Sequence, residues 1–524
     1  VADALVSGAN VLTPKQQPKA DSSRRPQGDF FESEFDREKN DSSRARNNNN
    51  SPFPSSNPLV GRGREEPKEE PVLKKAKLLD YNLKFAVDNF SAGFNNDVLI
   101  SRYQPFTGSV PINLSGADAF SGMLKASVFD LFEDIRFTGA IRLPFFGGGT
   151  SATSIAPQGH AAFTPGSSSF FDGSGEWFAR VDYLKHLFDY SLIYYRETET
   201  GSYMSDATTG TTGSFDAKSY TNIWQAVIKY PFDRVKSLRL SAGIRTDKVV
   251  IRPDGSSFFT DSIALAAPPQ NKQTYGLFRL EYVYDNTLMK ATNIWNGLRY
   301  KIYTDWNLQL NNTKGAGEGK YMYNIGFDAR HYLPIYRNFI WAVRAAGDFS
   351  FGNRKVLYYL GGTDGWLFPK ANQNPQPDRN GTGNYAFQSL AVNLRGFNQN
   401  VSNGNNSMVI NSELRLPLFS TLFNKPINNA FLRNFQLIQF FDIGTAWEGS
   451  LKNIERPTQT YQDNANPNFS VLIRAGGIGP FAGGYGFGAR STLLGYFLRF
   501  DAGWQMNNFF KDKPVLNVSM GVDF

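Results

Sequence analysis

The chain has 524 residues, 15% of them aromatic, with no Cys and three His. Without Cys there is no disulfide framework, thiolate metal site or Cys nucleophile, and His160, His186 and His331 are too far apart for a zinc motif, so neither metal nor cofactor is expected. The formal net charge of +8 is spread along the chain without a basic helix or a nucleic-acid module, and no nucleic-acid partner is expected.

The first residues, "VADALVSGANVL", lack an initiator Met, a basic start and a long apolar run, so they are no intact signal peptide. They fit a processed start or a piece of a longer protein. Residues 13 to about 78 are polar, charged and rich in Pro and Asn. Such a stretch buries too little apolar surface to offset its chain entropy. Residues 1–78 are therefore expected to be a disordered, solvated linker on the periplasmic side; a sharper alternative has Lys74, Lys75 and Lys77, just before the first strand, meet anionic lipid headgroups.

From about residue 79 to residue 524 the pattern has period two. Over 298–309, Leu298, Tyr300, Ile302, Thr304, Trp306 and Leu308 fall on one face, and Arg299, Lys301, Tyr303, Asp305, Asn307 and Gln309 on the other. The stretches 238–245, 496–504 and 515–524 alternate likewise, the last ending on Phe524 as outer-membrane barrels often do. Mean hydropathy is −0.39 and no run approaches eighteen apolar residues, which excludes membrane-spanning helices. Alternating strands average to polar and remain compatible with a bilayer.

Sixteen strands of about ten residues are expected, beginning near residues 80, 120, 135, 176, 188, 220, 236, 273, 298, 320, 337, 407, 434, 482, 495 and 514. Long connections (91–118, 145–175, 198–219, 251–272, 351–406) alternate with short ones such as "LFED", "PFDRV" and "YLPIYR". An even strand count with unequal ends predicts an all-β fold, a sixteen-stranded antiparallel transmembrane β-barrel with short periplasmic turns and long outer loops. Closing the sheet satisfies every backbone group in lipid. The expected location is the bacterial outer membrane, with its lipids and lipopolysaccharide as surroundings.

On this count residues 351–406 form the sixth outer loop, which carries Leu394-Arg395-Gly396-Phe397. The thirteenth strand carries Phe440-Phe441-Asp442-Ile443-Gly444, in which Asp442 shares a face with Phe440 and Gly444. If Phe441 and Ile443 face lipid, Asp442 faces the lumen, where a guanidinium can bind it bidentately. Glu413 and Arg415 fall on the polar face of strand twelve, and Gly396 permits a tight turn beside Arg395. Arg299, Lys301, Arg490, Arg499 and Asp501 compete as ion-pair partners.

These motifs resemble the BamA/TamA and two-partner-secretion superfamily of outer-membrane barrels. The family's sixth loop folds into the barrel and presents an Arg-Gly-aromatic tip, here Arg395-Gly396-Phe397. Its strand-thirteen motif reads here as Phe440-x-Asp442-x-Gly444, and "GYGFGARSTLLGYFLRFDAGW" resembles its final hairpin. The resemblance implies insertion or translocation of client proteins, through a seam between the first and last strands and with loop six as a brace. The family's usual POTRA domains have no counterpart in residues 1–78. The early strands look more like a Bacteroidota subgroup in which a TolB-like propeller precedes the barrel. Three other functions compete. They are a small-solute pore favouring anions through Arg239, Arg245, Arg299 and Lys301, a scaffold subunit of an outer-membrane complex, and, least favoured, an enzyme, for which no convergent Ser-His-acid set is visible.

Overall fold

The computed structural model describes residues 84–94, 100, 103–106, 120–146, 162–165, 173–204, 214–252, 271–311, 320–372, 374, 384–423, 426–463, 466–493, 495–507 and 513–524. The expected linker at 1–78, with its lysines, lies outside these residues, as does His160. The described chain is almost entirely antiparallel β-structure. Its principal strands are β1 Phe85–Phe94, β2 Phe120–Asp130, β3 Ile135–Phe146, β4 Gly175–Tyr183, β5 Asp189–Met204, β6 Ser214–Pro231, β7 Lys236–Arg252 and β8 Asn271–Asp285. The second half comprises β9 Ile294–Gln309, β10 Tyr321–Tyr336, β11 Phe339–Gly352, β12 Asn406–Pro417, β13 Gln436–Trp447, β14 Phe481–Leu493, β15 Tyr496–Gln505 and β16 Val515–Met520.

Each of these strands pairs with the next, from β1 with β2 through to β15 with β16. No ladder among the described residues joins β16 to β1, so the meander is described as open at that edge. Several strands are longer than the ten residues expected, with 16 in β5, 18 in β6 and 17 in β7. Hairpin neighbours continue to satisfy each other's backbone groups beyond the stretch whose side chains alternate most cleanly. The interval 286–297 likewise zips into a hairpin, Leu288–Ala291 pairing with the start of β9. Two short helices, α1 Leu418–Leu422 and α2 Ala430–Arg433, fill the β12–β13 connection, and the Asn429 side chain caps α2 by accepting from the Leu432 N–H at 3.2 Å.

Burial is inverted relative to a water-soluble sheet. On β9, Ile302, Trp306 and Leu308 are 53%, 49% and 49% exposed, whereas Arg299 and Asp305 are 2% and 4% exposed. β7 repeats this, with Leu240 and Ile244 outward and Arg239 and Arg245 buried. Aromatic side chains pack along the outer face, as in the stacked pairs Phe278–Trp306 and Tyr284–Tyr300. No helix among the described residues is long and apolar enough to cross a membrane, which says nothing of strands.

The polar face is concave, because groups from distant strands meet over it. Asn293, in the turn before β9, donates to Gln436 at the start of β13 (3.0 Å) and to Asp523 (2.9 Å). Loop six, between β11 and β12, fills the other end. Its strands Lys355–Leu360 and Tyr385–Leu390 run parallel, flanked by Ser402–Gly404 and by Gln104–Pro105 from the first long loop. Leu357, Tyr359, Tyr385 and Leu390 pack with Phe106 into an apolar cluster inside this small sheet. Phe387 lies 4.9 Å from the Tyr275 ring on β8 and under the Arg245 guanidinium of β7, while Ser402 donates to Ala446 O on β13 at 2.7 Å.

One expectation fails at the end of the chain. The alternation read through Phe524 stops at Met520, and residues 521–524 are not strand. Gly521 takes φ +106, open to a residue without Cβ, and the backbone turns inward. Asp523 then reaches Arg490, and Phe524 lies 7% exposed beneath the Arg415 guanidinium rather than on the outer apolar row. Buried arginines need a carboxylate more than the outer face needs another Phe.

Candidate functional site: the docked tip of loop six

The tip of loop six, 393–397, reaches the polar face of β12 to β15. Arg395 donates from Nε to Asp442 Oδ2 at 2.7 Å and from Nη2 to Oδ1 at 2.8 Å, a planar fork on a carboxylate. Its backbone N–H adds a third bond to Oδ2 at 3.1 Å, and its Nη1 pairs with Glu413 Oε1 at 2.6 Å. The guanidinium lies 3.9 Å from the centroid of the Phe440 ring. Asn411 Nδ2 binds both Asp442 Oδ1 and Asn393 O at 2.8 Å, so the loop is also held through its backbone. Arg395 is 3% exposed. Burial by itself disfavours its charge, but Asp442 and then Glu413 outweigh that and hold the guanidinium protonated, above even its ordinary range.

The flanking residues each have a distinct place. Leu394 and Phe397 enter an apolar cluster with Leu360, Val401, Val409 and Ala446. Gly396 has φ +88, and a Cβ there would stand 2.8 Å from Trp504 O. Gly444 is tight against Val409 and Leu360, at 2.9 Å and 3.4 Å from a hypothetical Cβ. Thus Leu394, Arg395, Gly396, Phe397, Glu413, Asp442 and Gly444 all converge on one docking site, while Phe524 lies at a second, neighbouring cluster.

The ion pairs continue into that second cluster. Glu413 Oε2 accepts from Arg415 Nε at 2.8 Å, and Arg415 passes on to Phe524 O at 2.9 Å and Asn293 O at 3.1 Å. Arg490 joins Asp501 and Asp523, each at 2.8 Å, and Arg499 lies 3.6 Å from both Asp523 and Asp364 of loop six. Loop six and residues 521–524 are therefore linked by buried charges of alternating sign. The group has geometry for holding both segments against the strands. Among the described residues, no three or more His, Asp or Glu are placed to hold a metal.

Several site residues carry no role in the sequence reading. Phe440 supplies the ring under Arg395, and Asn411 straddles loop and strand. Gly484 and Gly503 leave room for the loop backbone: a Cβ on Gly484 would collide with Arg395 O, and one on Gly503 would lie 2.6 Å from Gly396 N. A visible signal was available in "GGYGFGAR", where Gly484, Gly486 and Gly488 share a face while Tyr485 and Phe487 share the other. A strand face made of glycine marks close backbone approach.

No family model matches the chain, and no curated protein does. Solved structures do show likeness. BamA from Haemophilus ducreyi lacking POTRA domains 1-3 aligns at 12% identity and a TM-score of 0.40, over 77% of this chain and 68% of that one. CdiB from Escherichia coli aligns at 10% and 0.40 over 85% and 63%, and CdiB from Acinetobacter baumannii at 9% and 0.38 over 76% and 56%. The chain thus spans roughly six tenths of the length of the CdiB proteins. The narrower expectation of a Bacteroidota subgroup with an upstream propeller gains nothing from these structures.

Proposed function

We propose that this chain is an outer-membrane β-barrel of sixteen strands, with its seam between β1 and β16, that inserts or translocates client proteins. The observation that carries the membrane part is the inverted burial: apolar rows outward, paired Arg, Asp and Glu inward. An aqueous sheet with that arrangement would expose its apolar face to water at about 25 cal/mol per Å². Lipid removes that penalty, and pairing along the seam would supply partners for the edge groups that loop six does not already engage. Outer-membrane lipids and lipopolysaccharide are then the surroundings of the apolar face.

The protein-handling part rests on loop six. It fills the concave side with a folded sheet and locks its tip by a buried fork, while the arginines that would select anions are engaged, Arg245 with Asp247 at 2.9 Å and Arg299 over the Trp295 and Tyr332 rings. That disfavours a standing small-solute pore and favours a wall that opens at its seam. In this role the Arg395–Asp442 fork anchors the brace. The test is a set of Cys pairs with one partner in 85–94 and the other in 515–520, free of background in a chain without native Cys. Oxidation should lower the amount of client protein reaching the outer membrane, and reduction should restore it. Unchanged client assembly with the seam locked would sink the gating mechanism.

A further inference from the structure

Loop six does not stay wholly on the concave side. After Gly361 and Gly362, at φ +107 and +79, residues Thr363–Leu367 run alongside β16. Leu367 N–H donates to Val518 O at 2.9 Å, and Met520 N–H donates to Gly365 O at 3.1 Å. Between these bonds Trp366 stands opposite Ser519 in antiparallel register, and Thr363 Oγ1 meets Ser519 Oγ at 2.8 Å. This is β-ladder geometry with a non-hydrogen-bonded pair at its centre. Side chains alternate accordingly. Leu367 packs on the outer face with Met520, Val518 and Leu498, and Trp366 shares the face of Ser519.

The edge involved is the one turned away from β15. Ser519 pairs with Arg499, and Gly521 N–H donates to Phe497 O at 3.0 Å, so the odd-numbered residues of β16 serve β15. The even-numbered residues serve the opposite edge, where β1 would close the barrel, and loop six occupies it at Val518 and Met520. Farther along this edge, an open cleft of about 290 Å³ is lined by Lys370, Asn398, Pro514, Val515 and Leu516. Leu516 is 67% exposed. Loop six thus covers one half of a short edge and leaves a cleft at the other.

We infer that Thr363–Leu367 is a resident strand on the accepting edge of β16, and that an extended segment of a client protein pairs there only after this segment withdraws. The inference rests on the protein-handling reading above and adds the element that competes for the edge. Two backbone hydrogen bonds, each of small net worth once water competes for the same groups, make a short, replaceable ladder. A segment pairing along Leu516, Val518 and Met520 forms more bonds and reaches the open cleft. Its chemistry follows from the site: an extended backbone with apolar residues at every second position, facing outward beside Val518 and Met520.

The test uses the full chain in outer-membrane vesicles, carrying Trp366→Cys with Ser519→Cys, or Thr363→Cys with Ser519→Cys should the first pair fold poorly. Mild oxidation should join the pair. The probe is a synthetic ten-residue peptide of alternating Val and Thr bearing a photoreactive group. Its labelling of residues 515–520 should fall at least tenfold in the oxidised protein relative to the same protein reduced. Leu367→Pro, which removes one of the two ladder donors, should raise labelling. Failure of both pairs to join would overturn the inference, as would labelling that is equal, or absent, in oxidised and reduced protein. Each of these results leaves the seam-lock experiment free to succeed or fail on its own.

Discussion

Arg395 concentrates more interactions than any neighbouring side chain of the loop tip, so its removal has the clearest consequence. Arg395→Ala leaves Asp442 and Glu413 buried without their shared cation, a change that costs about 3–5 kcal/mol when such a pair is broken from one side. Loop six should undock, and its proteolysis in the otherwise folded protein should rise by at least tenfold. Asp442→Asn should act in the same direction, and the double variant should be less severe than the sum of the two, since each single change already abolishes the fork. Arg395→Lys should not restore docking, because a point-like ammonium lacks the planar fork. An intact loop in Arg395→Ala would show that the apolar contacts of Leu394 and Phe397 suffice. A steric counterpart isolates shape from charge. Gly484→Val meets the Arg395 carbonyl and should release the loop with every charged residue still in the sequence, whereas Gly139→Ala, with nothing within 4 Å of its new Cβ, should be neutral.

At the scale of elements, the two ends of the sheet differ in what holds them. The short turns are local devices. In the β6–β7 turn, Asp233 accepts from the Val235 and Lys236 N–H groups at 2.8 and 2.7 Å. Those bonds, the Val235 one foremost, hold its carboxyl below the ordinary Asp range. A depressed carboxyl contributes stability that is present above its unfolded pKa and is lost as pH falls through the folded value. Amide exchange at Val235 and Lys236 should therefore accelerate, after correction for intrinsic rates, only below about pH 3.9. Asp233→Asn should remove this pH dependence. The longer segments depend instead on partners far away in sequence. Loop six is held by β12 to β16, and residues 521–524 by Arg415, Arg490 and Asn293, so each is expected to respond to changes in several strands at once.

For the whole molecule, the proposed barrel makes the sheet of loop six the element that would limit what the concave side passes. Purified full-length protein in a planar bilayer should show little steady conductance, and excision of residues 353–404 with a short Gly-Ser linker should open a large one. A large, stable conductance in the intact chain would put the small-solute pore ahead of protein handling. The excised variant should also lose the peptide-labelling difference tied to Thr363–Leu367, because the competitor for the edge has gone with the loop.

Much of this was legible in the residues. Period-two alternation separates the Ile302, Trp306, Leu308 row from the Arg299, Asp305, Asn307 row, because a strand sends successive side chains to opposite faces. The thirteenth strand's face assignment followed in the same way, and with it the prospect of an inward Asp442 awaiting a cation. Side-chain chemistry of this kind is written residue by residue. The tertiary structure alone decided what depends on backbone and on the meeting of remote segments. Every residue of β16 carries an N–H and a C=O, so nothing in residue types marks Val518 and Met520 as the pair that Gly365–Leu367 would claim. The inward course of residues 521–524 was hidden for a related reason. The local alternation favours Phe524 on the outer row, and only the arrival of Arg415 and Arg490 from other strands makes the inward position of Asp523 and Phe524 the better one.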